Sequence, residues 1–146
     1  MIKDKTSIKK LVYDSDMIRV MSMFESITKA RLKDFFILDE ILYFVIAPGD
    51  MGKALGKNKV NVYKLREKLD RKISIIEYNE DIIRFVSNII YPFRADDIKK
   101  ENTKIIIYGK DLKNKAKIIG KRASTLRRYE KVVQRYFPEI EEIMVK

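Results

Sequence analysis

The chain has 146 residues, 46% hydrophobic and 36% charged, which supplies one or two small packed domains under a charged surface and excludes intrinsic disorder. Lys and Arg number 32 against 21 Asp and Glu, a formal net charge of +11 that points to a polyanion, nucleic acid or an anionic membrane surface, as partner, with an acidic protein as the further alternative. The absence of Cys and His excludes disulfides, thiolate nucleophiles, imidazole bases and the zinc sites built from those ligands.

Asp14, Ser15 or Asp16 can cap a first helix, in which Met17, Val20, Met21, Phe24 and Ile27 recur at the three- and four-residue spacing of one buried stripe. Two β-type runs follow, Leu32 to Leu38 and Ile41 to Ala47, joined at Asp39-Glu40 as an antiparallel pair and stopped by Pro48-Gly49-Asp50. A short helix runs from Asp50 to Leu55, breaks at Gly56-Lys57-Asn58-Lys59, and resumes with Val62, Leu65 and Leu69 inward; a strand from Lys72 to Tyr78 closes the series αββααβ. The run Ile41 to Ala47 is the longest uninterrupted apolar stretch, well short of the roughly 18 residues of a membrane span. Met1-Ile2-Lys3-Asp4-Lys5 lacks a signal-peptide core, so a soluble cytoplasmic protein with no membrane partner is expected.

The same grammar then begins again. Glu80-Asp81 opens an amphipathic helix through Ile82, Ile83, Phe85, Val86 and Ile89-Ile90, ended before Pro92 because proline disfavours helix at the preceding residue. A short strand is expected near Arg94 to Ile98 and a clear one from Lys104 to Tyr108. Asp111 caps a helix to Ile119, a break falls at Gly120-Lys121-Arg122-Ala123, a longer helix reaches about Phe137, and Glu141 to Val145 is the last strand. At an offset of 64, Ala54-Leu55-Gly56-Lys57 lies on Ile118-Ile119-Gly120-Lys121 and Val62 lies on Leu126. The boundary falls near 78–80, giving domains 1–78, with a short N-terminal extension, and 79–146. The short connection predicts closely packed halves.

The positive charge is local. Residues 53–72 carry eight basic side chains against two acids, and residues 110–135 carry ten against two; their combined excess of +14 leaves −3 for the rest of the chain. Both windows contain the glycine breaks. A Gly-Lys-x-x turn between two helices places backbone amides at the start of the second helix, where a phosphate is received, and lysine adds charge there. Gly56 and Gly120 can take positive φ and allow a sugar-phosphate backbone to come close.

Three other readings compete for these turns. A P-loop needs four residues between its glycines and a hydroxyl after the lysine, whereas Gly52 and Gly56 are separated by three residues and Asn58 or Arg122 stands at the hydroxyl position. A helix-turn-helix suits the small, Gly, apolar spacing of Ala116, Gly120 and Leu126, but strands enclose both units. The third reading is a glycine used only as a helix C-cap.

The chain resembles the archaeal NusA-like proteins, small transcription factors made of two type II KH domains. The likeness runs from about Asp16 to the C-terminus, through Met23-Phe24-Glu25-Ser26-Ile27-Thr28, Pro48-Gly49-Asp50-Met51-Gly52, Leu55-Gly56-Lys57, Ile76-Glu77-Tyr78 and Ile119-Gly120-Lys121. The resemblance implies an α+β fold of two tandem type II KH units, each αββααβ. It also implies single-stranded RNA held beside the two-helix turn, with the loop clamping about four nucleotides, and a role alongside RNA polymerase in elongation, pausing or termination. The family loop is Gly-x-x-Gly; here Lys59 and Ala123 replace the second glycine, and a side chain there is expected to obstruct the RNA backbone and narrow the permitted dihedrals.

Carried over position by position, the candidate RNA contacts are Gly56, Lys57, Asn58 and Lys59 with Asn61 and Lys64, then Gly120, Lys121, Arg122 and Ala123 with Thr125 and Arg128. Arg127, Arg128, Lys131 and Arg135 lie opposite an apolar stripe and read as solvated surface. Tyr63, at a helix margin, reads as core packing ahead of base stacking. No cofactor or metal is called for. Carboxylates such as Asp39/Glu40 and Asp96/Asp97 have no partner constellation, so the chain reads as a non-enzyme. The alternatives to RNA binding are a protein-interaction module of the transcription machinery whose degenerate loops have lost RNA, and a helix-turn-helix DNA binder.

Overall fold

The computed structural model describes residues 15–146. Asp14 and the N-terminal extension lie outside the described residues. The chain divides into two compact units, Met1–Tyr78 and Asn79–Lys146.

The first unit contains α1 (Ser15–Thr28), β1 (Leu32–Leu38), β2 (Ile41–Ile46), α2 (Met51–Leu55), α3 (Val60–Leu69) and β3 (Ile73–Glu77). Its sheet has the order β1-β2-β3, with β2 antiparallel to β1 and parallel to β3. The hairpin turn at Asp39-Glu40 holds both residues at positive φ, 50° and 63°, the requirement of a two-residue turn whose twist matches the flanking strands. Helix α1 ends where the buried Thr28 hydroxyl donates to the Phe24 carbonyl (2.8 Å) and accepts from the Ala30 amide (3.1 Å), while Lys29 turns left-handed at φ 62°.

The core of this unit gathers Phe24, Phe35, Leu42, Phe44, Ile46, Ala54 and Leu65. The Phe24 and Phe44 rings stack at 4.3 Å between centroids, and Phe35 tilts against Phe44 at 5.0 Å. Strand β2 is buried from Leu42 through Ile46, so neither set of alternating side chains meets solvent. That is why its sequence reads as a continuous apolar run rather than an alternation.

The second unit repeats the order: α4 (Ile82–Ile90), β4 (Ala95–Glu101), β5 (Lys104–Gly109), α5 (Leu112–Ile119), α6 (Ser124–Tyr136) and β6 (Glu142–Val145). Strand β5 is central, antiparallel to β4 and parallel to β6. Asp81 caps α4 by accepting from the Ile83 amide at 2.9 Å, and Asp111 caps α5 by accepting from the Asn114 amide at 2.7 Å. The strand expected near 94–98 runs on to Glu101, because pairing of Glu101 with Lys104 and a left-handed Asn102 carry it into the hairpin. Its polar edge residues gave no apolar signal there. Ile105, Ile107, Ile118, Val132, Val133, Ile140 and Ile143 form the buried interior with Phe85, whose ring meets Tyr136 edge-on at 5.4 Å.

One buried carboxylate joins α6 to β6. Glu130 Oε2 accepts from Arg127 Nη1 at 2.6 Å and from the Ile143 amide at 2.8 Å. Replacing Glu130 by Ala leaves a buried backbone donor without an acceptor, so E130A is expected to lower stability by about 2 kcal/mol and E130Q by roughly half of that. Urea titration of both variants checks this, and equal stability of E130A and wild type would refute it.

Candidate nucleic-acid interface

The glycine breaks of the two units have nearly the same backbone. Gly56 sits at φ 73°, ψ 173° and Gly120 at φ 73°, ψ 177°, a region open essentially to glycine alone. A single 3-10 turn follows each, Lys57–Lys59 and Lys121–Ala123. Within it two consecutive residues are left-handed: Asn58 (φ 55°, ψ 31°) and Lys59 (φ 59°, ψ 28°), then Arg122 (φ 54°, ψ 33°) and Ala123 (φ 60°, ψ 19°). The fourth position therefore keeps a backbone that favours glycine although Lys59 and Ala123 occupy it.

This geometry changes one expectation about the amides. The Lys59 and Ala123 N–H groups donate to the Gly56 and Gly120 carbonyls at 3.1 and 3.2 Å, and the Val60 and Ser124 N–H groups donate to the Lys57 and Lys121 carbonyls. Four amides at the helix starts are thus engaged internally, because the left-handed pair folds the chain back into i→i+3 bonds. The positive charge offered to solvent at the turns is that of the exposed Lys57, Lys59, Lys121 and Arg122 side chains.

The other expected contacts divide. Lys64 and Asn58 are exposed. Asn61 has a structural bond, its Nδ2 donating to the Lys53 carbonyl at 2.9 Å and tying the middle of α2 to the start of α3. A Cβ on Gly56 would lie 2.7 Å from that same Asn61 nitrogen, and one on Gly120 would overlap the Thr125 side chain. The fifth residue after each glycine therefore packs over it. Arg128 is half-buried, and its Nε is enclosed without a hydrogen-bond partner among the described residues, whereas Arg127 is tied to Glu130. Tyr63 corrects the core-packing expectation: it is 59% exposed, because Val62 and Leu65 take the inward positions of α3.

The first loop has an anchor that sequence alone does not reveal. Asp50 is 4% exposed and stands at the N-cap of α2, yet its carboxylate makes no capping bond. Its Oδ2 accepts from the Arg31 amide at 2.7 Å and from Arg31 Nε at 3.2 Å, joining the start of β1 to the segment that enters α2. The bonds from Arg31 hold the Asp50 carboxyl below its ordinary value, the backbone amide contributing most. Gly49 adds a second tie by donating to Glu77 Oε2 at 3.3 Å. A lone Asp at a helix start signals a cap, and nothing local indicates a bond to a residue nineteen positions away.

No protein-family model matches the chain. Proteins called probable transcription termination protein NusA do. That of Methanocaldococcus jannaschii is 30% identical over 130 residues, covering 87% of this chain and 71% of the relative. The chain belongs to this archaeal NusA-like family. The relative from Thermoplasma acidophilum is 26% identical over 142 residues, 95% of this chain and 98% of its own length. That of Methanococcus vannielii is 38% identical over 95 residues, and the match spans only 54% of its length. The crystal structure of APE1850 superposes with a TM-score of 0.71 at 24% identity, over 92% of this chain and 100% of the other, a likeness of fold. Both NusA-like units are mixed α+β, consistent with tandem KH-like domains. No helix among the described residues is long and apolar enough to cross a membrane.

G56A and G120A each meet a φ/ψ combination that side chains resist and a side-chain overlap and are expected to destabilise their unit by about 1–3 kcal/mol, whereas A123G relieves a left-handed alanine and is expected to stabilise by roughly 0.5–1 kcal/mol. Thermal melts of the three variants check this, and a less stable A123G would refute the strained fourth position. Because the native pKa of Asp50 is lowered, its contribution is present above the unfolded value of about 3.9 and is lost as pH falls through the native one. D50N should therefore be less stable than wild type at neutral pH, with the gap closing in acid; a gap constant from neutral to acid pH would show that the carboxylate charge does not matter.

Proposed function

We propose that this chain is a non-enzymatic, single-stranded RNA-binding factor of transcription termination and elongation, built of tandem type II KH units over 1–78 and 79–146, with RNA polymerase as a second partner. The observation that carries this reading is the recurrence of one Gly-Lys backbone turn in both units of a NusA-like chain, with Lys57, Lys59, Lys121 and Arg122 exposed around it. The order αββααβ with a mixed sheet in each unit supports the type II assignment.

RNA is held chiefly through its phosphates. Gly56 and Gly120 bring the loop close to the strand, and Lys57, Asn58, Lys59 and Lys64 contact it in the first unit. Lys121 and Arg122 do so in the second, with Ala123, Thr125 and the outer nitrogens of Arg128 at its margin. Asn61 acts by fixing the loop. Contacts of this kind give modest sequence preference and an affinity that falls with salt, at a log–log slope of about −0.7 per phosphate neutralised.

The decisive experiment compares unstructured RNA, duplex RNA and duplex DNA by filter binding at two salt concentrations, for wild type and the K57E/K121E double variant. Wild type should prefer single-stranded RNA, and the double variant should lose at least about tenfold in affinity with a shallower salt slope. Unchanged binding by the double variant would reject the loops as the site. Absence of RNA binding by wild type would favour a protein-interaction module, and preference for duplex DNA would favour a helix-turn-helix reader.

A further inference from the structure

The two units are alike in backbone and unlike in what stands one turn beyond the loop. At the 64-residue offset Tyr63 corresponds to Arg127, Val60 to Ser124 and Lys64 to Arg128. In the second unit Arg127 is drawn onto the buried Glu130 at 2.6 Å. In the first unit the same helical position carries an aromatic ring that is 59% exposed, and Val60, one turn before it on the same face, is 41% exposed. An exposed ring beside an exposed β-branched side chain loses free energy by remaining in water. Exposed Lys57, Lys59 and Lys64 lie within six residues of the ring in the chain, in the window whose local excess is +6. Glu67, one turn further along α3, is the acid that faces the same side.

We infer that Tyr63, supported by Val60, is a base-stacking platform that gives the first unit a contact with a nucleobase, while the second unit contacts the RNA backbone alone. This deepens the RNA reading and rests on it. Lysines flanking an apolar ring match a single strand, which presents anionic phosphates and flat π-faces at one-nucleotide spacing; duplexes keep those faces stacked inside. The tyrosine hydroxyl is not needed for stacking, so the ring is the working part.

The test uses the full chain and fluorescence anisotropy with two labelled probes of equal length, a short oligoadenylate and its abasic ribose-phosphate counterpart. Y63A should weaken oligoadenylate binding by about fivefold to tenfold, a usual effect of removing one stacking aromatic, while Y63F stays within about twofold of wild type. On the abasic probe Y63A and wild type should bind equally, and the salt slope on oligoadenylate should be unchanged in Y63A because no phosphate contact is lost. Tyr63 is exposed and Ala is the better helix former, so Y63A folds; circular dichroism checks this. Equal binding of Y63A and wild type to oligoadenylate, or an equal loss on both probes, would overturn the inference and leave the RNA reading standing. Failure of wild type to bind either probe would overturn both.

Discussion

Both units depend on one backbone constraint, a glycine at φ 73° with ψ near 175° and, one residue further on, two consecutive left-handed residues. The conformation separates two helices within four residues and leaves Lys57, Asn58, Lys59, Lys121 and Arg122 exposed. Glycine is obligatory at its first position, where an added Cβ would strike the side chain packed over it. At the fourth position glycine is only preferable, since the left-handed basin admits other residues at a cost of about 1–2 kcal/mol. Lys59 and Ala123 show how the loop keeps its shape without a second glycine: internal hydrogen bonds and the flanking helices hold the dihedrals that the side chain resists.

The units reach the same loop by different supports. In the first, Asp50 binds Arg31 and Asn61 binds the Lys53 carbonyl, so the loop is fastened at its entry and at its exit. In the second, Asp111 caps α5 and Glu130 links α6 to the last strand. These carboxylates have ordinary surface neighbours in the sequence, yet two of them are buried acceptors. A buried carboxylate persists only where donors meet it, and each of these is met by one backbone amide distant in the chain and one arginine nitrogen. The arrangement also sorts the basic residues. Those of the turns remain exposed, whereas Arg127 is tied down and the Nε of Arg128 is enclosed.

The difference between the loops follows from that sorting. The first offers lysines and an exposed tyrosine, the second cations without an exposed aromatic at the matching position. Two such modules in one chain permit a division between phosphate attraction and base contact, and the family's place among proteins called transcription termination factors gives that division an RNA to act on in the proposed reading.

Local sequence determined the element order of both units, the antiparallel hairpin of the first, the helix start at Glu80-Asp81, the cap at Asp111, the concentration of charge and the repeat of Gly-Lys at an offset of 64. Periodicity, turn chemistry and capping act within a few residues, so they are legible in a single chain. Tertiary structure decided which side of α3 faces solvent and hence that Tyr63 is exposed. It also decided that Asp50 serves Arg31 rather than its own helix, that Glu130 is buried, and that Lys59 and Ala123 stay left-handed. Each of these turns on burial or on a bond between residues distant in the chain, and such energies exist only once the elements have packed.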